Sequence, residues 1–128
     1  MAAPDNATTR TLVEGFLDGC EQGSADALRA VTSDDCVAWH NTDDLVLTAE
    51  VGIARICNWR ASIAAFRFER LALLPTTSGA VLQSNMHITL KDGRALTVPG
   101  CTVFTIHHGR IVRWDDYFDS APMRALRP

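Results

Sequence analysis

A carboxylate lies between two large aromatic residues in the last strand-like segment of this chain, Arg110–Asp119. Side chains alternate between the two faces of a strand, so Trp114, Asp116 and Phe118 share one face. If that face is internal, desolvation raises the pKa of Asp116 and suits its carboxylate for proton transfer. The alternative is that Asp115 and Asp116 are both solvated charges at the end of a strand.

Two histidines are further candidates for an acid or a base. His40 ends the first predicted strand, and an imidazole exchanges protons near neutral pH, with a neighbouring carboxylate able to fix its tautomer. His87 lies with Asn85 on the polar face of the segment Ala80–Leu90. The alternatives are a structural role for His40 and a polar face that simply meets water.

Other catalytic patterns are missing from the sequence. It has no glycine-rich phosphate loop, no G-x-S-x-G elbow and no H-E-x-x-H helix. His40, His87 and Asp116 suffice in number to ligate a metal, but nothing in their spacing predicts one. The four cysteines form no C-x-x-C pair and are predicted to be reduced thiols. We therefore expect neither a metal nor a cofactor, because acid–base chemistry needs only positioned groups in a dry pocket.

Three helices are predicted before the strands that would hold these residues. Apolar residues three and four positions apart predict a helix over Thr9–Glu21. A short second helix follows the N-cap residue Ser24 and ends near Thr32. The segment Ala49–Phe66 has no proline and only one glycine, Gly52, which predicts a third helix.

Strand patterns dominate the rest of the chain. The predicted strands are Cys36–Asn41, Phe68–Leu74, Ala80–Leu90, Ala95–Ile106 and Arg110–Asp119. Short turns separate the last four, and Asp92-Gly93 is typical of a type I′ hairpin, so these strands should form an antiparallel meander. The order of elements predicts an α+β fold in which a curved antiparallel sheet wraps around about three N-terminal helices into a cone.

Length and charge limit the possible functions. The 128 residues fit one domain, 1–128, with an ordered core at about 9–119. The net charge is -3 with scattered basic residues, which argues against nucleic acid as a partner. No apolar run approaches the roughly 20 residues of a membrane span. The polar start, Met1–Thr9, lacks the features of a secretory signal and predicts a cytoplasmic protein.

A sheet wrapped on helices has a convex face as well as a concave one. Both faces of the predicted sheet would carry apolar residues, and pairing of two copies is the simplest way to cover the convex one. We therefore expect a homodimer.

Two segments of the sequence resemble a known family. Gly109–Asp119 resembles the closing strand of SnoaL-like proteins and limonene epoxide hydrolases, and Ser33–Asn41 resembles their helix-to-strand junction. With the order of elements, the resemblance covers most of the chain from Thr9 to Asp119. It implies the cone-shaped nuclear-transport-factor-two-like fold, which ketosteroid isomerases and polyketide cyclases share. Because this fold hosts many chemistries, the reaction must be argued from individual residues.

The resemblance implies roles for particular residues. In limonene epoxide hydrolases a W-x-D-Y-F-D stretch supplies the base that activates water, and this position falls on Asp116. Those enzymes also carry an arginine and a second aspartate, and counting through the hairpins places them at Asn85 and His87, so their relay is absent. Ketosteroid isomerases have their proton-shuttling carboxylate near His40 and an acidic oxyanion donor near Cys101, and neither is retained.

Together these observations predict a cofactor-independent SnoaL-like enzyme that moves protons on a small, mostly apolar carbonyl or epoxide compound, as an isomerase, cyclase or hydrolase does. Asp116 would be the base or would orient His87, and His40 would be a second acid–base group. The predicted substrate-contacting residues are Asn85, Trp39, Trp59, Cys101, Trp114 and Phe118. The alternative hypothesis, favoured by the changed relay positions, is a non-catalytic ligand-binding or dimerisation module.

Overall fold

Four helices and six strands make up the part of the chain that the structure, a computed structural model, describes: residues 4–124. Their order is α1 (Asn6–Gln22), α2 (Ala25–Val31), β1 (Thr32–His40), β2 (Val46–Thr48), α3 (Ala49–Ala61), β3 (Ala65–Thr76), β4 (Gly79–Thr89), β5 (Ala95–His107), β6 (Arg110–Phe118) and α4 (Ala121–Arg124). The predicted order of helices followed by a hairpin-linked sheet is confirmed.

Side-chain caps set the start of each long helix. The Asp5 carboxylate accepts a hydrogen bond from the Thr8 N–H at 3.1 Å, which begins α1 three residues before the predicted Thr9. This helix ends at Gly23, whose φ of 65° is a left-handed conformation that glycine adopts without strain. Thr48 caps α3 in the same way as Asp5 caps α1.

The third helix is shorter than predicted. It ends at Ala61, and the chain is already a strand from Ala65 onward, so Phe66 belongs to β3. The Ser62 N–H and hydroxyl both bond the Trp59 carbonyl, which closes the last turn of the helix. The apolar residues near this boundary fit a helix or a strand equally well, because periodicity is ambiguous over so short a run.

The six strands form one mixed sheet in the order β2-β1-β6-β5-β4-β3. The strands β3 to β6 pair antiparallel through hairpins, as predicted. β1, in contrast, lies parallel to β6, so the sheet is not purely antiparallel. A hairpin forces its two strands to be antiparallel, whereas β1 and β6 are separated by most of the chain and are free to pair in either direction. Val46–Thr48, which is not among the predicted strands, is a short edge strand beside β1.

The helices cover one face of the sheet, and the core lies between the two layers. Phe16 of α1 packs against Phe104 and Trp114, with ring centroids 5.2 Å and 5.1 Å apart. Trp114 is fully buried, so the face that it shares with Asp116 is the internal one. No helix within residues 4–124 is long and apolar enough to cross a membrane.

Candidate active site

A cavity of about 260 Å³ lies between the helices and the inner face of the sheet. Its lining is mainly apolar and includes Phe16, Ile56, Trp59, Phe66, Phe68, Met86, Phe118 and Met123. The ionisable or hydrogen-bonding side chains among its lining residues are Cys20, His40, Thr42, Asp43, Trp59, Arg55, Ser84, Cys101, Thr102, Asp116 and Tyr117. A few polar groups converging in an apolar hollow are the usual composition of a small-molecule site.

Asp116 lies at the centre of a hydrogen-bonded group in this cavity. Its position on β6 is in register with His40 on β1 and with Thr102 on β5, so the three side chains project from adjacent strands onto one face. The Thr102 hydroxyl donates to Asp116 Oδ1 at 2.7 Å, and His40 Nε2 lies 3.2 Å from Oδ2. The side chains of His40 and Asp116 are only 20% and 24% exposed. Sheet pairing therefore builds a carboxylate–imidazole pair in a water-poor place.

The Asn41 side chain holds the ends of β1 and β6 together. Its Nδ2 donates to the Phe118 carbonyl and its Oδ1 accepts from the Phe118 N–H, both at 3.1 Å. The Asn41 backbone N–H donates to the Asp116 carbonyl at 3.0 Å. These bonds lock the neighbouring His40 and Asp116 in register, which is the preorganisation that an acid–base pair needs.

The environment of His40 favours its protonated form. The hydrogen bond to Asp116 raises the pKa of His40 above its ordinary value, and this outweighs desolvation, which lowers it. Nδ1 is buried and has no hydrogen-bond partner among residues 4–124. In the neutral ring a proton on Nε2 is therefore favoured, because it can be donated to Asp116 while Nδ1 stays a bare acceptor.

Substitution of Asp116 by Asn should lower the pKa of His40, because the anion that stabilises the imidazolium is lost while burial of the ring remains. NMR titration of the His40 ring measures this directly. Thr102→Val is the matched control, since it removes a neighbour of Asp116 but keeps the carboxylate. A pKa of His40 that is the same in wild type and Asp116→Asn would contradict the pairing.

The raised pKa of His40 also predicts the direction in which the stability of the fold changes with pH. A group whose pKa is higher in the folded state stabilises the fold fully below its unfolded pKa, roughly 6.5 for His, and this stabilisation is lost as the pH rises through the folded value. We therefore expect the free energy of unfolding of wild type relative to His40→Gln to increase from pH 8 towards pH 6. Urea unfolding at several pH values tests this, and a difference that shrinks over the same interval would contradict it.

His87 and Asn85 do not take part in this group. The alternation predicted for β4 is confirmed, but its apolar side, with Ser84 and Met86, faces the cavity. His87 Nε2 lies 2.9 Å from Glu69 Oε1 on the outer face, and Asn85 Nδ2 donates to the same oxygen at 3.2 Å. The structure thus brings together two of the three predicted catalytic residues. The β4 residues that face the cavity include no arginine, aspartate or glutamate. The arginine and second aspartate of the limonene epoxide hydrolase relay are therefore missing from both faces of this strand.

The other predicted contact residues divide between the cavity and its surroundings. Trp59, Phe118 and Cys101 line the cavity. Trp114 is part of the core instead, because its fully buried ring packs beneath α1 and α3. Trp39 points away from His40, packs its ring at a tilt against Tyr117 with ring centroids 5.1 Å apart, and donates from Nε1 to Asp44. Neighbours along a strand lie on opposite faces, so Trp39 and His40 do not serve one pocket.

Several lining residues had not been selected from the sequence. Thr102 is an ordinary strand threonine, and only the pairing of β5 with β6 reveals its role. Gly52, Arg55 and Ile56 line the cavity from α3 beside the predicted Trp59, and their spacing is that of one helix face, a pattern the sequence does contain. Cys20 also lines the cavity, but burial and then Asp116 raise the pKa of its thiol, so it is a neutral and unreactive group.

No cluster of three or more potential metal-ligating His, Cys, Asp or Glu side chains occurs within residues 4–124. All four cysteines are free thiols. What the described residues assemble is an acid–base pair in a hydrophobic cavity.

Fold and site together define a class of protein: a curved mixed sheet, backed by helices, that encloses a cavity of small-molecule size with ionisable groups at one wall. The model of the SnoaL-like domain family matches residues 13–114, and the chain belongs to this family. The resemblance drawn from the sequence is confirmed. Among curated proteins, none matches the sequence.

Solved structures share the fold at low sequence identity. A Jannaschia protein described as a SnoaL-like polyketide cyclase has a TM-score of 0.84 at 13% identity, covering 100% of this chain and 99% of its own. An M. tuberculosis epoxide hydrolase of the limonene type gives 0.77 at 20% identity, covering 95% and 90%. AclR from Streptomyces galilaeus, described as a hydroxylase, gives 0.80 at 11% identity, covering 93% and 80%. At these identities the similarity establishes the nuclear-transport-factor-two-like fold alone.

Proposed function

We propose that this protein is a cofactor-independent enzyme that transfers protons on a small, mostly apolar carbonyl or epoxide compound, with Asp116 as the base. The observation that carries the proposal is the His40–Asp116–Thr102 group on the wall of an apolar cavity. A carboxylate held by two donors has a fixed orientation, and each of its oxygens keeps a further lone pair for a substrate proton.

On a carbonyl compound, an Asp116 oxygen takes a proton from the carbon next to the carbonyl. The C–H electron pair becomes part of an enolate, and Asp116 becomes a carboxylic acid. Return of the proton to a different carbon isomerises the substrate, whereas attack of the enolate carbon on a second carbonyl closes a ring and Asp116 then protonates the new alkoxide. The His40 imidazole and the Thr102 hydroxyl hold the carboxylate throughout.

On an epoxide, the same base takes a proton from water, and the water oxygen attacks a ring carbon. The carbon–oxygen bond breaks, and the alkoxide receives the proton that Asp116 holds, which gives a diol. The cavity volume, about 260 Å³, lies just below the roughly 300–1,000 Å³ of pockets for drug-sized ligands, which favours a smaller substrate.

A substrate panel tests the proposal. Small cyclic ketones incubated with the protein in D₂O should exchange hydrogen at the carbon next to the carbonyl, and small epoxides should open to diols, both followed by NMR. The comparison is the Asp116→Asn variant at equal concentration. Saturable binding of panel compounds without any reaction would contradict the proposal and support the alternative, a non-catalytic ligand-binding protein. The absence of the relay residues from β4 favours that alternative.

We also propose that two copies pair through the outer face of the sheet. The helices lie on the other side, and the outer face presents Val103 and the contact between the Trp39 and Tyr117 rings, with Tyr117 46% exposed, beside the Arg113–Asp115 ion pair. A second copy is the simplest cover for such a face. The cytoplasmic location inferred from the N-terminal residues stays a prediction.

Val103→Glu should convert the dimer into a monomer, because Val103 is in register with Asp115 and a second carboxylate there would repel both its neighbour and the partner copy. Sedimentation velocity distinguishes a 14.0 kDa chain from a species of twice that mass. Wild type that sediments as a monomer at micromolar concentration would refute the pairing.

A further inference from the structure

A single cationic residue breaks the apolar lining that α3 contributes to the cavity. Gly52, Ile56 and Trp59 line the cavity from one face of this helix, and Arg55 lies on the same face. Among the residues that the structure describes, Arg55 is the one lysine or arginine in the lining. A guanidinium at the exposed edge of an otherwise apolar lining is placed where it can meet an anionic group of a ligand.

The partner of Arg55 holds it loosely. Arg55 NH1 donates to Asp43 Oδ2 at 3.1 Å, a single contact rather than the two parallel bonds that a guanidinium and a carboxylate can form. The two side chains are 53% and 33% exposed, and an ion pair at that exposure contributes little to stability. We call Arg55 and Asp43 the rim, because they lie at the more exposed end of the cavity lining. Arg55 can therefore exchange Asp43 for another anion at a small cost in free energy.

Asp43 does not depend on Arg55 for its own hydrogen bonds. Its Oδ1 accepts from the Leu45 N–H at 3.2 Å, and this backbone donor, ahead of Arg55, holds the pKa of Asp43 below its usual range. If Arg55 turns to another anion, the Asp43 carboxylate keeps a donor and remains solvated. Arg55 NH2 and Nε have no hydrogen-bond partner within residues 4–124, so a bidentate acceptor can approach them.

We propose that the rim is an anion subsite: Arg55 binds the carboxylate of a ligand whose apolar body fills the cavity as far as Asp116. The inference rests on the proposed function only in taking this cavity as the ligand site. It narrows the substrate class to small apolar carbonyl or epoxide compounds that also carry a carboxylate. In the unliganded protein, Asp43 occupies the place of that carboxylate on Arg55, and the ligand displaces it. Charge-assisted hydrogen bonds to Arg contribute more than neutral ones, so the carboxylate should add affinity and orientation to the burial of the apolar body.

The rim and the acid–base pair also act on each other electrostatically. Asp43 raises the pKa of His40 and Arg55 lowers it, although both effects are smaller than that of Asp116. A ligand carboxylate bound to Arg55 cancels part of its positive charge. Burial of the ring by the apolar body lowers the pKa of His40 for a charged and a neutral ligand alike, so the carboxylate should leave His40 with a higher pKa than a neutral ligand of the same shape, which gives a readout independent of turnover.

The test uses 4-phenylbutanoate and its neutral amide as probes of equal shape. Titration into the protein, followed by NMR, should show that the carboxylate binds about threefold more tightly than the amide, since an ion pair at the exposure of Arg55 contributes only modestly. Arg55→Met should abolish this preference, Arg55→Lys should retain part of it, and Asp43→Asn should increase it. Arg29→Met removes the same charge from an exposed pair on α2 and should change nothing.

Three results would overturn the anion subsite: equal affinity for both probes, a preference that survives in Arg55→Met, or binding of neither probe. Circular dichroism confirms that each variant is folded. The anion subsite and the proposed catalysis fail separately. If the protein prefers the carboxylate probe but turns over no substrate, the proposed catalysis is refuted and the anion subsite stands. If it turns over neutral compounds but shows no such preference, the anion subsite is refuted and the proposed catalysis stands.

Discussion

Asp116→Asn should reduce kcat/KM by about 10²–10⁴-fold on any substrate that the wild type turns over, the range typical of loss of a general base. Asn has the volume of Asp, and its carbonyl oxygen can still accept a hydrogen bond from Thr102 or His40. What it lacks is a proton-accepting lone pair of carboxylate basicity. The loss of turnover should therefore far exceed any loss of stability, and steady-state kinetics with a thermal melt measures both.

Asp115→Asn is the matched control for this experiment. Asp115 is adjacent in sequence and has the same charge, but it lies on the opposite face of β6, where Arg113 Nε donates to it at 2.8 Å. Its substitution should leave kcat/KM unchanged. Activity of Asp116→Asn within about threefold of the wild type would exclude Asp116 as the base, since general-base catalysis contributes far more than that.

Gly79→Ala should destabilise the fold by about 3 kcal/mol, the upper end of what overpacking costs. A Cβ at position 79 would collide with the carbonyl oxygen of Phe104 and lie 2.9 Å from the Phe104 carbonyl carbon. These are backbone atoms of β5 and cannot turn aside, so β4 and β5 would have to separate where Phe104 packs on the core. We expect Tm to fall on the order of 10 °C.

Gly100→Ala provides the comparison on the same strand pair. The nearest atom to a Cβ at position 100 is the Tyr117 carbonyl oxygen at 3.5 Å, an ordinary contact. Its free energy of unfolding should stay within about 1 kcal/mol of the wild type. Urea unfolding followed by tryptophan fluorescence compares the two variants. If both are equally stable, β4 and β5 do not approach each other at Gly79 as described.

The faces of the strands follow from the sequence alone. The alternation that placed Asp116 between Trp114 and Phe118 is correct, and so is the separation of Ser84 and Met86 from the polar side of β4. Alternation divides a strand into two faces but does not say which polar group faces a cavity. The resemblance to limonene epoxide hydrolases places two relay positions at Asn85 and His87, which predicts that the polar side of β4 faces the site. In the structure this side is the outer one.

The direction and register of β1 required the tertiary structure. The residues of β1 contain strand periodicity, yet nothing local specifies that this strand lies parallel to β6 with His40 beside Asp116. Pairing between distant segments depends on how the helices and the core pack, and the free energy of that packing is spread over many residues. Thr102 joins the group for the same reason, through the register of β5 on β6.

The chain's own residues thus determined the three N-terminal helices, five of the six strands of the described sheet, their faces, the hairpins and the candidacy of Asp116 and His40, because each of these depends on neighbours within a few positions. Only the folded sheet decided that these two side chains meet, that His87 turns outward to Glu69, and that Arg55 and Asp43 form the rim. Local periodicity governs the first set, and long-range strand pairing and curvature govern the second.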